Sequence, residues 1–317
     1  MLFVLRTNNI SNPTQVYYMD ITAILTMFLR ELNQPVISDY ELYLNIFHFY
    51  QVKKYREEKI ENANKIRSFR YVNAKIIDRL IQSGIISKDE DFPKGRVFKI
   101  IGNKYLEAGD VACSVDPFAY ISHLSAMAYH GLTNRLPKML FISTPHPRDW
   151  SRFARLKMKN DIGEDLLPDY DHYRYPKLVR IRFNKIQHTH VTKYSSVHHG
   201  AFKKIQDRKL RVSTIGRTFL DMLREPEYCG GMRHITEIFA ENGLQYKNLI
   251  IDEIDRHGTL IEKTRAGYLL EEYAKVHDEK IDKWAALVER GGSRKLDAAE
   301  PYSEQYSPRW WLSLNIG

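Results

Sequence analysis

The stretch Ser213–Gly231, STIGRTFLDMLREPEYCGG, constrains the fold more tightly than any other part of the chain. Ser213 or Thr214 can cap a helix, because a hydroxyl oxygen accepts from an orphan amide of the first turn. Ile215, Phe219, Met222 and Leu223 then recur at helical spacing on one face. Pro226 stops the helix, and the pair Gly230–Gly231 turns the chain sharply. Arg217 and Asp221 lie four residues apart, on one side of the helix. That spacing predicts a surface ion pair, which contributes little to stability.

The rest of the chain must supply what such a helix packs on. With 317 residues there is room for two cores. Hydrophobic content of 43% and charged content of 27% are those of a globular protein. No apolar run approaches the length of a membrane span, and MLFVLRTNN has no small-residue cleavage site, so it is not read as a signal peptide. Cys113 and Cys229 stand far apart and form no disulfide framework or cysteine zinc site, which points to a reducing cytoplasm.

The net charge of +9 is unevenly spread. Leu132–Arg211 holds 18 Lys and Arg against 7 Asp and Glu, and Lys53–Arg79 holds 9 against 4. Such concentrations are the footprint of a polyanionic partner, most often nucleic acid.

Three helices are predicted before residue 83. Asp20–Leu32 carries an apolar stripe, Ser38 caps a second helix through Tyr50, and Phe69–Gln82 forms a third. Between them Lys53–Lys65 is a charged connector with some helical character. Strands at Ile85–Ile86 and Arg96–Ile101 flank a turn at Pro93-Lys94-Gly95. Three helices followed by a hairpin with a basic tip is the plan of a winged helix-turn-helix. Arg67, Arg70, Asn73, Lys75 and Arg79 lie on the third helix or at its front. Arg pairs bidentately with guanine and Asn with adenine, so Arg70 and Asn73 are the candidates for base reading. Lys94, Arg96 and Lys99 would hold the backbone as the wing.

A boundary near residue 105 gives two domains, 1–104 and 105–317. The second is read as mixed α/β with a helical C-terminal part, which makes the chain α+β overall. Asp116–His130 is expected to be one helix, with Asp116 as its cap and Pro117 in its first turn. Lys138–Thr144 is a buried strand and Trp150–Lys159 a basic helix, while Asp161–Tyr175 is a polar, tyrosine-rich excursion. Val179, Ile181 and Phe183 alternate with Arg180, Arg182 and Asn184, the pattern of a strand with one basic face. Thr189–Val197 is a second strand. Four helices follow the organising one, and Ser307–Asn315, with Trp310 and Trp311, is a closing strand packed on the sheet.

Catalytic chemistry finds little support. His188, His190, His198 and His199 cluster, but no cysteine or placed carboxylate completes a zinc set, so no metal or other cofactor is expected. Gly291-Gly292-Ser293 is like the start of a nucleotidyltransferase, yet no Asp-x-Asp follows on an apolar strand. A metal-dependent nuclease on the basic sheet is the enzymatic alternative, with no good Glu-x-Lys site. A solitary transcriptional regulator is the other.

The capped Arg-Thr helix ending in Pro and Gly-Gly resembles the core signature of the AbiEi-type antitoxins. Leu124–Leu132 (LSAMAYHGL) and Thr264–Glu271 (TRAGYLLE) with the closing SPRWWLSLN resemble the same family, in the same order. The resemblance implies an N-terminal winged helix-turn-helix that binds inverted repeats in its own promoter. It implies a C-terminal domain that counteracts a co-encoded nucleotidyltransferase toxin in abortive infection, without a stable complex and so without direct contact. Arg180, Arg182, Arg217, Asp221 and Arg265 are the candidate residues of the antitoxin-domain surface, and an RNA contact at Arg180 and Arg182 is one reading. The expected protein is a cytoplasmic non-enzyme with no membrane partner. It departs from the family pattern in its longer connector and in the stretch before Asp20.

Overall fold

A computed structural model describes residues 18–56, 58–61, 66–103, 107–196, 199–289 and 294–316. Among the described residues the fold mixes helices with four small or medium sheets. Gly291-Gly292-Ser293, His198 and the start before Tyr18 lie outside the described residues.

The first unit is built as its polar punctuation dictates. Asp20 caps the Ile21–Glu31 helix, accepting from the Thr22 amide at 3.0 Å. Ser38 ends the strand Val36–Ser38 and caps the helix Asp39–Val52. Lys53 adopts a left-handed conformation that stops it. The connector beyond it is not helical where described. Lys54–Tyr55 and Glu58–Ile60 pair as short strands and join Tyr18–Met19. The third helix starts at Phe69 under a Ser68 cap, passes through a π turn at Asn73–Ile77, and ends with Asp78–Gln82. Strands Ile86–Lys88 and Val97–Ile100 form an antiparallel hairpin, and Val36–Ser38 pairs with the second of them.

This unit does not close its own core. Trp150, Ala154, Ile162, Tyr170, Tyr175 and Leu178 are buried in the same cluster as Tyr43, Phe47 and Leu80. They come from the helices Pro147–Ile162 and Leu167–His172 and from the segment after them. The Tyr40 hydroxyl donates to Asp161 at 2.9 Å, and Tyr170 meets the Phe47 ring edge-on. The Asp161–Tyr175 stretch is therefore not a solvated excursion. Its tyrosines bury their rings while their hydroxyls reach acceptors, which is how an apparently polar segment enters a core.

The central sheet is mixed and six-stranded. Its order is Phe202–Lys204, Arg211–Ser213, Tyr120–Ile121, Leu140–Pro145, Thr189–Ser196 and Lys185–Ile186. Asp116 does not start a helix; it ends the helix Ala108–Val115. A residue before proline is pushed out of the α region. The carboxylate of Asp116 is thereby freed to accept from Thr144 Oγ1 and Trp150 Nε1, at 2.9 and 3.0 Å. The helix resumes only at His123–Tyr129. Residues 176–183 are not helical and pair with no strand among the described residues, so the expected basic strand does not form there.

The Ser213–Gly231 motif folds as its sequence reads. Thr214 caps the Ile215–Arg224 helix, and Gly230 and Gly231 take positive φ after Pro226–Cys229. A Cβ at Gly216 would overlap the Leu249 carbonyl oxygen, so this glycine lets the Lys247–His257 helix lie close. Helices Met232–Asn242, Leu260–Glu272 and Glu279–Ala286 complete the layer. The closing segment does not join the large sheet. Tyr306–Ser307 and Leu312–Ser313 form a separate small sheet with Arg294–Lys295. Trp310 is buried where a Cβ at Gly267 would stand. The two motifs TRAGYLLE and SPRWWLSLN are thus one packing contact.

Candidate nucleic-acid interface

Arg70, Lys75 and Arg79 project from the third helix into solvent and make no ion pair among the described residues. Arg67 precedes the helix with its guanidinium over the Tyr71 ring, 5.3 Å from the centroid. Asn73 opens the π turn, where its Oδ1 accepts from the Tyr43 hydroxyl at 2.6 Å. That bond orients the amide, and an adenine reading Asn73 would share its oxygen with Tyr43. The N-terminal end of the helix is clamped from behind. The Phe69 amide donates to the Tyr173 carbonyl at 2.9 Å, and the Tyr175 hydroxyl donates to the Arg67 carbonyl at 2.6 Å.

The three wing residues divide. Lys94 is exposed at the hairpin tip beside Gly95. Arg96 pairs with the buried Asp39 at 2.6 Å, and Lys99 faces the buried Asp89 at 3.4 Å. Both acids need these cations because a buried charge without a partner is costly. Arg96 and Lys99 therefore brace the hairpin, and Lys94 is the wing cation left for a phosphate. A cleft of about 500 Å³ between helix and hairpin is lined by Asn73, Lys88, Lys94, Arg96 and Arg174. Arg174 was not singled out by sequence, because only the shared core brings residues 173–176 beside the helix.

The candidate residues of the second region part company. Arg217 and Asp221 are not on the surface: they are 1% and 0% exposed and pair at 2.7 Å. The helix that carries them is covered by the sheet on one side and by neighbouring helices on the other, so its polar face is interior too. Arg217 also donates to Ser196 Oγ at 3.0 Å. Burial raises the Asp221 carboxyl, and the Arg217 guanidinium opposes that rise. Around the pair, His123 Nε2 and Asp221 Oδ2 have no hydrogen-bond partner among the described residues. Arg265 is buried as well, donating to the carbonyls of Leu223 and Lys295. These side chains brace the layer from inside.

His123 reports the dryness of this interior. Burial, with the Arg217 guanidinium adding, pushes its imidazole down to about 3. The unfolded chain takes up a proton near pH 6.5 while the folded chain resists until about 3. The stability this confers is complete above 6.5 and is lost as pH falls. We expect about 2 kcal/mol lost by pH 5. Urea unfolding of the parent and of His123→Asn at pH 7 and pH 5 checks this, Asn being chosen because position 123 has φ of 50°. Equal losses in both proteins would show that the imidazole is not held neutral.

Arg180 and Arg182 do meet solvent. They line a groove of about 860 Å³ between the Pro147–Ile162 helix and the segment 177–183. Arg155, Lys177 and Lys193 share the lining, which contains no Asp or Glu. The Lys193 ammonium lies 3.3 Å from the Phe183 ring centroid, and burial pushes it down to about 8. No sequence pattern marks Arg155 or Lys193 as partners of Arg180; the packing of three separate segments assembles them. His188 and His190 are exposed, and no three His, Cys, Asp or Glu gather into a metal-binding group among the described residues. No helix among them is long and apolar enough to cross a membrane.

Neither a family model nor a curated protein matches the chain. Among solved structures, the RV2827C protein from Mycobacterium tuberculosis is similar at 10% identity and a TM-score of 0.47, over 91% of this chain and 89% of that one.

Proposed function

We propose that this chain is a DNA-binding repressor of its own promoter and the antitoxin of a nucleotidyltransferase toxin. The observation that carries the DNA-binding half is the third helix, whose Arg70, Lys75 and Arg79 stand unpaired among the described residues, beside a hairpin tipped by Lys94. Three helices, with a three-stranded sheet whose first strand lies between the first two of them, support a winged helix-turn-helix reading. In that layout the helix enters the major groove and the hairpin reaches phosphates. The antitoxin half is supported by the motif resemblance at Ser213–Gly231, Leu124–Leu132 and Thr264–Glu271. The buried Arg217–Asp221 pair and Gly216 give that motif a packing role, so toxin neutralisation would use surfaces that the motif supports. The setting would be the cytoplasm of a bacterium, with inverted repeats as the operator.

A mobility shift on the DNA upstream of the chain's own gene, against scrambled duplex at two salt concentrations, tests the reading. Selective, salt-sensitive retardation is expected. Arg70→Ala should cost about 1–3 kcal/mol and relax the sequence preference. Lys94→Ala should weaken all duplexes alike and lower the salt slope by about one. Parent-like binding by both variants would refute the groove assignment, and cleavage of either duplex would favour a nuclease.

A further inference from the structure

We propose that the groove between the Pro147–Ile162 helix and residues 177–183 is a docking site for an extended acidic peptide, which adds a strand to the chain there. Two observations point the same way. The first is the backbone of residues 177–183. It is neither helical nor part of a sheet, and its amides donate no hydrogen bond among the described residues. A segment outside any sheet with unspent amide donors can take up an added strand. All of residues 177–183 line the groove, a length of roughly 20 Å at strand spacing.

The second observation is the charge. Arg155, Lys177, Arg180, Arg182 and Lys193 line the groove with no acid among the lining residues. Among the described residues only Lys177 is paired with an acid, the exposed Asp171 at 3.1 Å. Between these cations the lining is apolar, with Ala154, Met158, Leu178 and Ile181. Alternate residues of a strand face opposite sides. A peptide with acids alternating with apolar residues would therefore set its acids against the arginines and its apolar side chains on this floor.

The groove suits a peptide better than single-stranded RNA. RNA strands gain affinity by stacking bases on open aromatic faces. Here Trp150 and Phe183 are 4% and 9% exposed, and the Phe183 ring is covered by Lys193.

Fluorescence anisotropy with the full-length protein tests the proposal. The probes are fluorescein-labelled (Glu-Val)4, the same peptide N-methylated at alternate amides, (Lys-Val)4, and a uridine octanucleotide. (Glu-Val)4 should bind in a salt-sensitive way. N-methylation of the ladder-forming edge should weaken it roughly tenfold or more, because several strand hydrogen bonds go at once. (Lys-Val)4 should not bind. The double variant R180E/R182E should lose (Glu-Val)4 while melting at the parent temperature by circular dichroism. No binding of (Glu-Val)4, or equal binding of the N-methylated peptide, would overturn the strand-addition site. Tighter binding of the octanucleotide, lost in R180E/R182E, would overturn it in favour of an RNA site.

Discussion

Asp221→Ala should destabilise the protein by about 3–5 kcal/mol, the cost typical of leaving half of a buried ion pair behind. Arg217 would then lose its paired carboxylate at 1% exposure, keeping Ser196 Oγ and the weaker influence of the Glu253 carboxylate. Urea denaturation at pH 7 measures the effect directly. The double variant Arg217→Met/Asp221→Leu should recover most of the loss, because an apolar pair of similar volume needs no compensation. A single-variant loss under about 1 kcal/mol would mean that the pair behaves like an exposed one. Such a result would contradict the interior position of the helix.

A chain cut after residue 104 is expected not to fold into a native state. It would keep the three helices and the hairpin but lose Trp150, Ile162, Tyr170, Tyr175 and Leu178 from their shared core. Full burial of one such side chain contributes about 1.5–3 kcal/mol. Several together approach the whole stability of a small domain, about 5–15 kcal/mol. It would also lose both contacts that hold the front of the third helix, those of Tyr173 and Tyr175. Proton–nitrogen correlation spectra should show poor amide dispersion, and the fragment should bind a hydrophobic dye as expanded compact states do. A dispersed spectrum and a cooperative melt would prove the first unit self-sufficient. For the same reason, neutralisation tests are better made with substitutions in the full chain than with halves.

The two variants bear on how the third helix and the basic groove are connected. Tyr173 and Tyr175, which hold the third helix, immediately precede the segment 177–183 that walls the basic groove. The helix front and the groove are thus consecutive parts of one stretch of chain. The helix Asp39–Val52 lies under both through Tyr40, Tyr43 and Phe47.

Local signals in the sequence were enough to place most elements, because each depends on a few neighbouring residues. Caps at Ser38 and Thr214, stops at Pro226 and Gly230–Gly231, and helical apolar spacing all act within a turn or two. The basic third helix and its hairpin were legible for the same reason. Where sequence reading failed, the deciding partner was distant. The Arg217–Asp221 spacing is the same for an exposed and an interior pair; only the sheet and the Lys247–His257 helix closing on Gly216 made it interior. Alternation at Val179–Asn184 promised a strand, but a strand needs a neighbour and none of the described residues supplies one. Tyrosines in Asp161–Tyr175 looked solvated until their acceptors, on Arg67 and Pro176, came within reach. What the sequence determined by itself was the set of elements and the location of charge. Tertiary structure alone decided which charges stayed in water, because desolvation depends on what covers a residue rather than on what precedes it.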